Sequence, residues 1–494
     1  MMIAKRIARI ASITCVLTLI LCFAWFNDAP SERITKEFFT TDPSTPFSAE
    51  PTALYLTYLP HSGFHNQRIS LENAFVLAAL LNRTLIVPPA RLSSNSIPYS
   101  PTRKLVSVIE SSNDPALEPC PSGENPNIIP GAHLCKPYND FIHLSWRHLM
   151  PIHRLRSRLS FVERDNMRQR WFKTTLNIHS DDIYWVNDKF PYEFNFYDNP
   201  SGVSIASKYS RYIHLEDLSK QTQQYRLLHF GTLFGSGRLR LSDTSNIELQ
   251  TTIREAMVLS NPLLDRLSNQ VTRQMGGKDS YYALHLRLGD GVFAENATAN
   301  VQAILGTALI ELFGTTDKSF HMDLPSAIPY LSRFDDRSQL LPVHRLENPR
   351  TLVGQAQPCF RHRNDNHFLR ELPLYIATDV DPRQHPAFKP FFRTFPCVFF
   401  LSSFRDAIET LKQVRIAFGT GDLGPYLIPL LDALVVGNSA GMIGTPNSTF
   451  RYMCYLCLCT VLTPCKLPSG YIAGILWPVV HGLPVARGDN YHAD

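Results

Sequence analysis

The chain has 494 residues, 44% of them hydrophobic and 18% charged, which is room for two or three domains with buried cores. Lys plus Arg number 48 and Asp plus Glu 43, a net charge of +5, and no dense basic run occurs. That balance excludes nucleic acid as a partner on bulk electrostatics, although single basic residues in a pocket can still hold a phosphate.

Lys5, Arg6 and Arg9 precede an uncharged run from Ile10 to Phe26, ending in Trp25 and Phe26. A run of roughly 17 apolar residues is the lower limit for a membrane-spanning helix, and interfacial aromatics belong at its end. The basic flank keeps the N-terminus cytoplasmic and sends the body to the lumen. A cleaved signal peptide is the alternative, but Phe23-Ala24-Trp25-Phe26 offers a poor cleavage pattern. Either way the body lies in the secretory pathway: an endoplasmic reticulum or Golgi membrane protein of single-pass type II topology is expected. The ten cysteines suit that compartment, and a Cys120–Cys135 bridge would close a short loop. Glycosylation sequons begin at Asn82, Asn296 and Asn447.

Residues 28–50, rich in Ser, Thr and Pro, read as a flexible stem. Leu54–Leu59 then predicts a strand, His61–Gln67 a loop, Arg68–Leu81 a helix and Thr84–Val87 a second strand. This is a βαβ unit, and such units imply a parallel sheet covered by helices. Arg91–Pro130 reads as loop-rich, and Ile247–Met275 has helical spacing. Tyr281–Leu286, Leu372–Ala377 and Ala433–Val436 are further strand candidates, so the second half is also α/β.

Four segments carry chemistry. His61-Ser62-Gly63-Phe64-His65-Asn66-Gln67-Arg68 lies between a strand and a helix, where exposed amides suit a phosphate or sugar oxygen and Gly63 lets a ligand approach. In Tyr281–Asp290, His285 and Arg287 share a strand face and end where open α/β sheets place ligands. An Arg there can grip a diphosphate with two parallel bonds; a structural Arg287–Asp290 pair is the plainer alternative. Tyr375–Asp381 contains Asp379 and Asp381, either a D-x-D metal motif or a strand-end contact followed by a turn at Pro382. Asp432–Phe450 supplies small residues and hydroxyls for a second phosphate cradle.

Taken in order, "GFHNQRISLENAFVLAALLNRTLIVPP", "HLRLGD", "LYIATD" and "LLDALVVGNSAGMIGTPNSTF" resemble the GDP-fucose protein O-fucosyltransferases. The segments span residues 54–450. The resemblance implies an α/β fold of GT-B type: two Rossmann-like domains facing a cleft, here behind an N-terminal transmembrane helix. The pass along the chain divides it into an anchor (1–27), a stem (28–50), an N-terminal domain (51–245), a C-terminal domain (246–450), read with the resemblance as the nucleotide-sugar domain, with an insertion (291–370), and a Cys-rich tail (451–494). The resemblance further implies inverting transfer of fucose from GDP-fucose to a hydroxyl of a glycoprotein or other acceptor, with no cofactor and no catalytic metal. Asn66 would lie near the reacting sugar, flanked by Phe64 and Gln67, with Gly63 at the same loop. Arg287 would hold the β-phosphate and neutralise leaving GDP. His285 would contact nucleotide or fucose, Asp379 base or ribose, and Ser448, Thr449 and Phe450 the diphosphate and base edge.

The sequence departs from the family pattern in two places. His65 stands where a Gly usually precedes the Asn, and a Glu found in this loop in one branch is absent. His61 and His65 are then the candidate bases. After Phe450 the chain reads "RYMCYLCLCTVLTPC" in place of a surface helix. Two other readings remain at this level: a metal-dependent sugar transferase using Asp379 and Asp381, or a non-catalytic lumenal binding protein on the same fold.

Overall fold

The computed structural model describes residues 30–39, 52–120, 135–136, 138–200, 209–289, 291–311, 373–395, 397–416, 422–445 and 448. The candidate anchor, most of the insertion, the Cys-rich tail, and Thr449 and Phe450 fall outside them. Among the described residues no helix is long and apolar enough to cross a membrane.

The chain enters through helix α1 (Pro30–Phe38), in the segment read as flexible stem. Tertiary partners order it: the Phe38 carbonyl accepts from Asn261 Nδ2 at 2.9 Å, and Arg266 grips Glu37 through two bonds of 2.7 Å. Next come β1 (Tyr55–Tyr58), α2 (Phe64–Leu80), β2 (Thr84–Val87), β3 (Ala90–Ser93), α3 (Thr102–Ser112), β4 (Phe141–Leu144), β5 (Phe161–Glu163), β6 (Ile183–Val186), β7 (Phe194–Tyr197), β8 (Arg211–His214), β9 (Leu227–Phe230) and β10 (Leu239–Arg240). Five of these strands form an all-parallel sheet in the order β5-β2-β1-β9-β6. Tyr55, Leu56, Thr57 and Tyr58 are all buried, as expected of a strand covered on both faces. Buried Thr57 is accommodated because its hydroxyl donates to the Ile86 carbonyl at 2.9 Å. β10-β7-β8 make a small parallel sheet, and β3 and β4 pair antiparallel.

Helix α4 (Thr244–Ala256) packs on α2, and α5 (Pro262–Gln274) packs on α6 (Gly424–Gly437). The change of partner falls at Ser260–Asn261, between α4 and α5. The single helical stretch expected over Ile247–Met275 is therefore broken. Asn261 stops it: its Oδ1 caps α5 by accepting from the Leu263 and Leu264 amides, and Pro262 occupies the first helical position. The second sheet is β13-β12-β11-β14, all parallel, from β11 (Tyr282–Leu286), β12 (Leu374–Thr378), β13 (Val398–Phe399) and β14 (Gly441–Gly444). The expectation of a strand at Ala433–Val436 is overturned, since those residues lie in α6. Ala433, Leu434, Val435 and Val436 are all buried there, and a helix enclosed on all sides loses the 3.6-residue pattern that separates it from a strand.

Both large sheets reverse their winding. In the first, successive strands run outward as β1, β2, β5, and the chain then returns to place β9 against the other side of β1. In the second, β11, β12 and β13 run outward and β14 returns to β11. Open parallel sheets bind ligands at such switch points, beyond the carboxyl ends of the strands. The segments His61–Arg68 and Arg287–Gly289 leave β1 and β11, the two strands at which the winding reverses.

Candidate active site

The turn after β1 is locked to the loop after β9 by interlocking hydrogen bonds. Ser62 takes φ +65°, the left-handed region, and its amide donates to the Ile97 carbonyl at 2.7 Å. His61 is buried and held at both ring nitrogens, Nδ1 by Ser62 Oγ at 2.7 Å and Nε2 by Thr232 Oγ1 at 2.6 Å. Thr232 follows β9, so this bond spans the first switch point. Asn73 pins the same loop by donating to the carbonyls of Leu233 and Gly235.

Helix α2 begins at Phe64, so His65, Asn66 and Gln67 belong to its first turn and not to the expected loop. Its N-cap residue is Gly63, which offers no side chain, so the first-turn amides are left without a side-chain cap from that position. Gly63 is exposed, and a Cβ built on it would meet no atom within 4 Å. The protein itself makes no steric demand for glycine there. Phe64 stacks on Trp146 at 5.4 Å. Gln67 is buried and committed to the main chain: its amide group donates to the carbonyls of Ser62 and Arg91 and accepts from the Arg91 amide. It fixes the turn to β3. Asn66 keeps a buried Oδ1 without a hydrogen-bond partner, and both ring nitrogens of buried His65 lack one too. Arg68 pairs with Glu72 at 3.3 Å, and Arg254 of α4 joins Glu72 from outside at 2.7 Å.

Burial lowers the His61 pKa to about 3, with a further push from the Arg238 guanidinium. Burial, then Arg68, holds His65 well below its ordinary value. Both imidazoles are therefore neutral and poor proton acceptors near neutral pH, which weakens them as candidate bases.

In the second unit, β11 ends in a backbone cradle. The Arg287 amide donates to Thr445 Oγ1 at 2.9 Å, and the His285 carbonyl accepts from the Thr445 amide at 2.9 Å. Thr445 follows β14, so this contact spans the second switch point. Asp379, at the end of β12, accepts from the amides of Leu288 at 2.8 Å and Gly289 at 3.2 Å. A Cβ at Gly289 would sit 3.2 Å from that carboxylate, so the close approach suits glycine. Arg287 is half-buried, its guanidinium 4.7 Å from the Phe293 ring centre. His285 is buried, and Ser448 is fully buried with its Oγ unpartnered. Asp381 instead caps the next turn, accepting from the Arg383 amide at 3.0 Å. Asp379 and Asp381 therefore serve different backbone segments.

The structure thus assembles His61–Gln67 on one switch point and His285, Arg287, Asp379 and Ser448 on the other. Thr232, which locks the first turn, escaped the sequence reading, whereas Thr445 lay in the segment read as a phosphate cradle but instead locks the second turn. A buried-strand pattern just before each, Leu227–Phe230 and Gly441–Gly444, was the available signal.

Fold and site together define an α/β protein with two large parallel sheets, each carrying polar residues at its switch point. A 35-residue stretch is 57% identical to O-fucosyltransferase 30 of Arabidopsis thaliana, which agrees with the resemblance read from the four segments. That match covers 7% of this chain and 7% of the relative's length. No family model matches. Among solved structures, POFUT1 in complex with GDP-fucose is similar at 11% identity, covering 84% of this chain and 97% of that one, with a TM-score of 0.36. POFUT1 in complex with GDP gives the same values. A superposition that loose assigns no role to any residue.

Proposed function

We propose that this protein is a fucosyltransferase that moves fucose from GDP-fucose to a hydroxyl acceptor, in the first instance a protein serine or threonine, with inversion and without a metal. The observation that carries the reading is the "HLRLGD" segment, whose Arg287 stands at a parallel-sheet switch point with its backbone fixed by Thr445 and Asp379. The other matching segment, His61–Gln67, occupies the corresponding place on the other sheet, and the local identity to a curated O-fucosyltransferase supports the same class.

In this mechanism the β-phosphate docks against the Arg287 guanidinium. Negative charge develops on that phosphate as the sugar bond breaks, and a positioned fork of donors stabilises the transition state more than the ground state. The Ser448 hydroxyl and the backbone near it add donors. The Asp379 carboxylate shapes the loop that presents Arg287. The first-turn amides of α2, beside Gly63, and the unpartnered Asn66 Oδ1 meet the sugar side, where the acceptor approaches. The N-terminal run Ile10–Phe26 behind Lys5, Arg6 and Arg9 anchors the protein in an endoplasmic reticulum or Golgi membrane with this body in the lumen.

The test is turnover of a panel of nucleotide sugars by the purified protein. GDP-fucose is expected to be consumed, with activity surviving excess EDTA. Turnover of a different sugar nucleotide, or activity abolished by EDTA and restored by manganese, would replace this reading.

A further inference from the structure

A phosphate at the second switch point has to be gripped by one long side chain. Thr445 and Asp379 fix the main chain at Arg287, Leu288 and Gly289, but bonds to amides do not set the side-chain torsions of the arginine. A flexible arginine loses rotamer freedom when a phosphate captures it, and a neighbour that already holds the guanidinium lowers that cost. Phe293 is such a neighbour: the guanidinium carbon lies over its ring, 4.7 Å from the centroid.

The local chain explains how Phe293 comes to be there. It belongs to a short helix, Gly291–Glu295, entered through Gly291 at φ +47°, the left-handed region that glycine adopts at little cost. Asn296 closes that helix, its amide and its Nδ2 both donating to the Val292 carbonyl, at 3.2 and 2.8 Å. The helix Ala297–Glu311 follows directly, and its Val301, Ile304 and Leu305 are buried in one cluster with Leu284, Leu286 and Leu288. The short helix is therefore tied to the sheet that carries Arg287. Phe293 itself is half-buried, and among the described residues it is not one of the apolar side chains packed against that cluster. Its ring serves the contact with Arg287 and not the core.

The attraction comes from the negative face of the ring, so the ring draws the cation without supplying an oxygen that competes for its N–H donors. A carboxylate in the same place would bind those donors and offset the charge that a diphosphate needs. Resting on the fucosyl-transfer reading, we propose that Phe293 is a positioning residue of the donor site: its ring holds the Arg287 guanidinium ready for the β-phosphate. Phe293 acts through Arg287, so its effect falls on capture of the donor and not on the chemical step.

The test measures GDP affinity and steady-state kinetics on the full-length protein. Phe293→Leu keeps an apolar side chain and removes the ring face. It should weaken GDP binding and raise KM for GDP-fucose by about 10-fold, with kcat close to that of the wild type. Phe293→Tyr restores a ring and should restore both constants. The melting temperature should hold in both variants, since the ring lies outside the core. In an Arg287→Ala background, Phe293→Leu should weaken GDP binding no further. Wild-type GDP affinity in Phe293→Leu, or an equal loss with and without Arg287, overturns the positioning role and leaves the transfer reading standing. A wild-type protein that neither binds GDP nor consumes GDP-fucose overturns the transfer reading and this role with it.

Discussion

Asp379 holds the amide of Leu288 at 2.8 Å across 91 residues of sequence, and the same carboxylate takes the next amide, that of Gly289. The loop that carries Arg287 is therefore shaped by the neighbouring strand. Asp379→Ala would leave both amides unpaired, at roughly 1–3 kcal/mol each where they are shielded from water. The expected result is a raised KM for GDP-fucose with a reduced kcat. Asp381→Asn, which touches only the following turn, should be mild. Steady-state kinetics on the pair decide it, and equal effects would show that Asp379 has no special hold on the donor loop.

Arg287→Ala should lower kcat/KM by about 10²-fold or more, the usual cost of losing one preorganised donor group at a developing charge. Arg287→Lys should recover only part, because a single ammonium cannot form the two-pronged contact. Full activity in either variant would remove Arg287 from the donor site.

Gln67 should matter for stability first. Its side chain makes three hydrogen bonds to main chain of the β1 turn and β3, the two to β3 fully buried. Gln67→Leu is expected to cost about 3 kcal/mol, mainly from stranded carbonyls and an amide. Chemical denaturation would measure this, and a change under half that size would mean the turn relaxes around the loss.

Stability should fall as pH drops below neutrality. Burial lowers His61, His143 and His229 to about 3, His148 to about 4, and His65 well below its usual value. Once unfolded, each titrates near 6.5, so acid favours the unfolded chain by up to about 1.4 kcal/mol per pH unit for each histidine. That stability is present above about pH 6.5 and is lost as the pH falls towards the folded values. Asp265 and Asp432, raised by burial to about 6 and about 7, have the opposite sign: their contribution is full below the unfolded value and is lost as pH rises. Asp188 is raised by burial as well, and five histidines outweigh three carboxyls, so the melting temperature should decline from pH 7 to pH 5. A flat or rising profile over that range would contradict the neutral burial of these rings.

The sequence made the βαβ opening legible because Leu54–Leu59 and Thr84–Val87 are short apolar runs separated by an amphiphilic stretch and stopped by Pro88-Pro89. It also marked Arg287, since a charged residue directly after a buried strand is visible in one dimension. The Cys120–Cys135 bridge, suggested by spacing alone, is present in the structure. The α6 segment was misread because a wholly apolar run carries no period. The break at Asn261-Pro262 was written in the chain, in a cap residue followed by proline, but the helical spacing on both sides masked it.

Composition, local pattern and the four segments determined by themselves that the chain is α/β and which polar residues end its strands. Strand order belongs to the tertiary structure, because no local signal states that β9 returns to β1 or that β14 returns to β11. Those returns create the switch points. They bring Thr232 to His61 and Thr445 to Arg287, while the outward neighbour β12 brings Asp379 to Leu288, contacts between residues separated by 171, 158 and 91 positions. Hydrogen bonds of that separation depend on how two distant strands pack, so only the folded chain could decide which side chains are fixed in the turns and which remain open to a ligand.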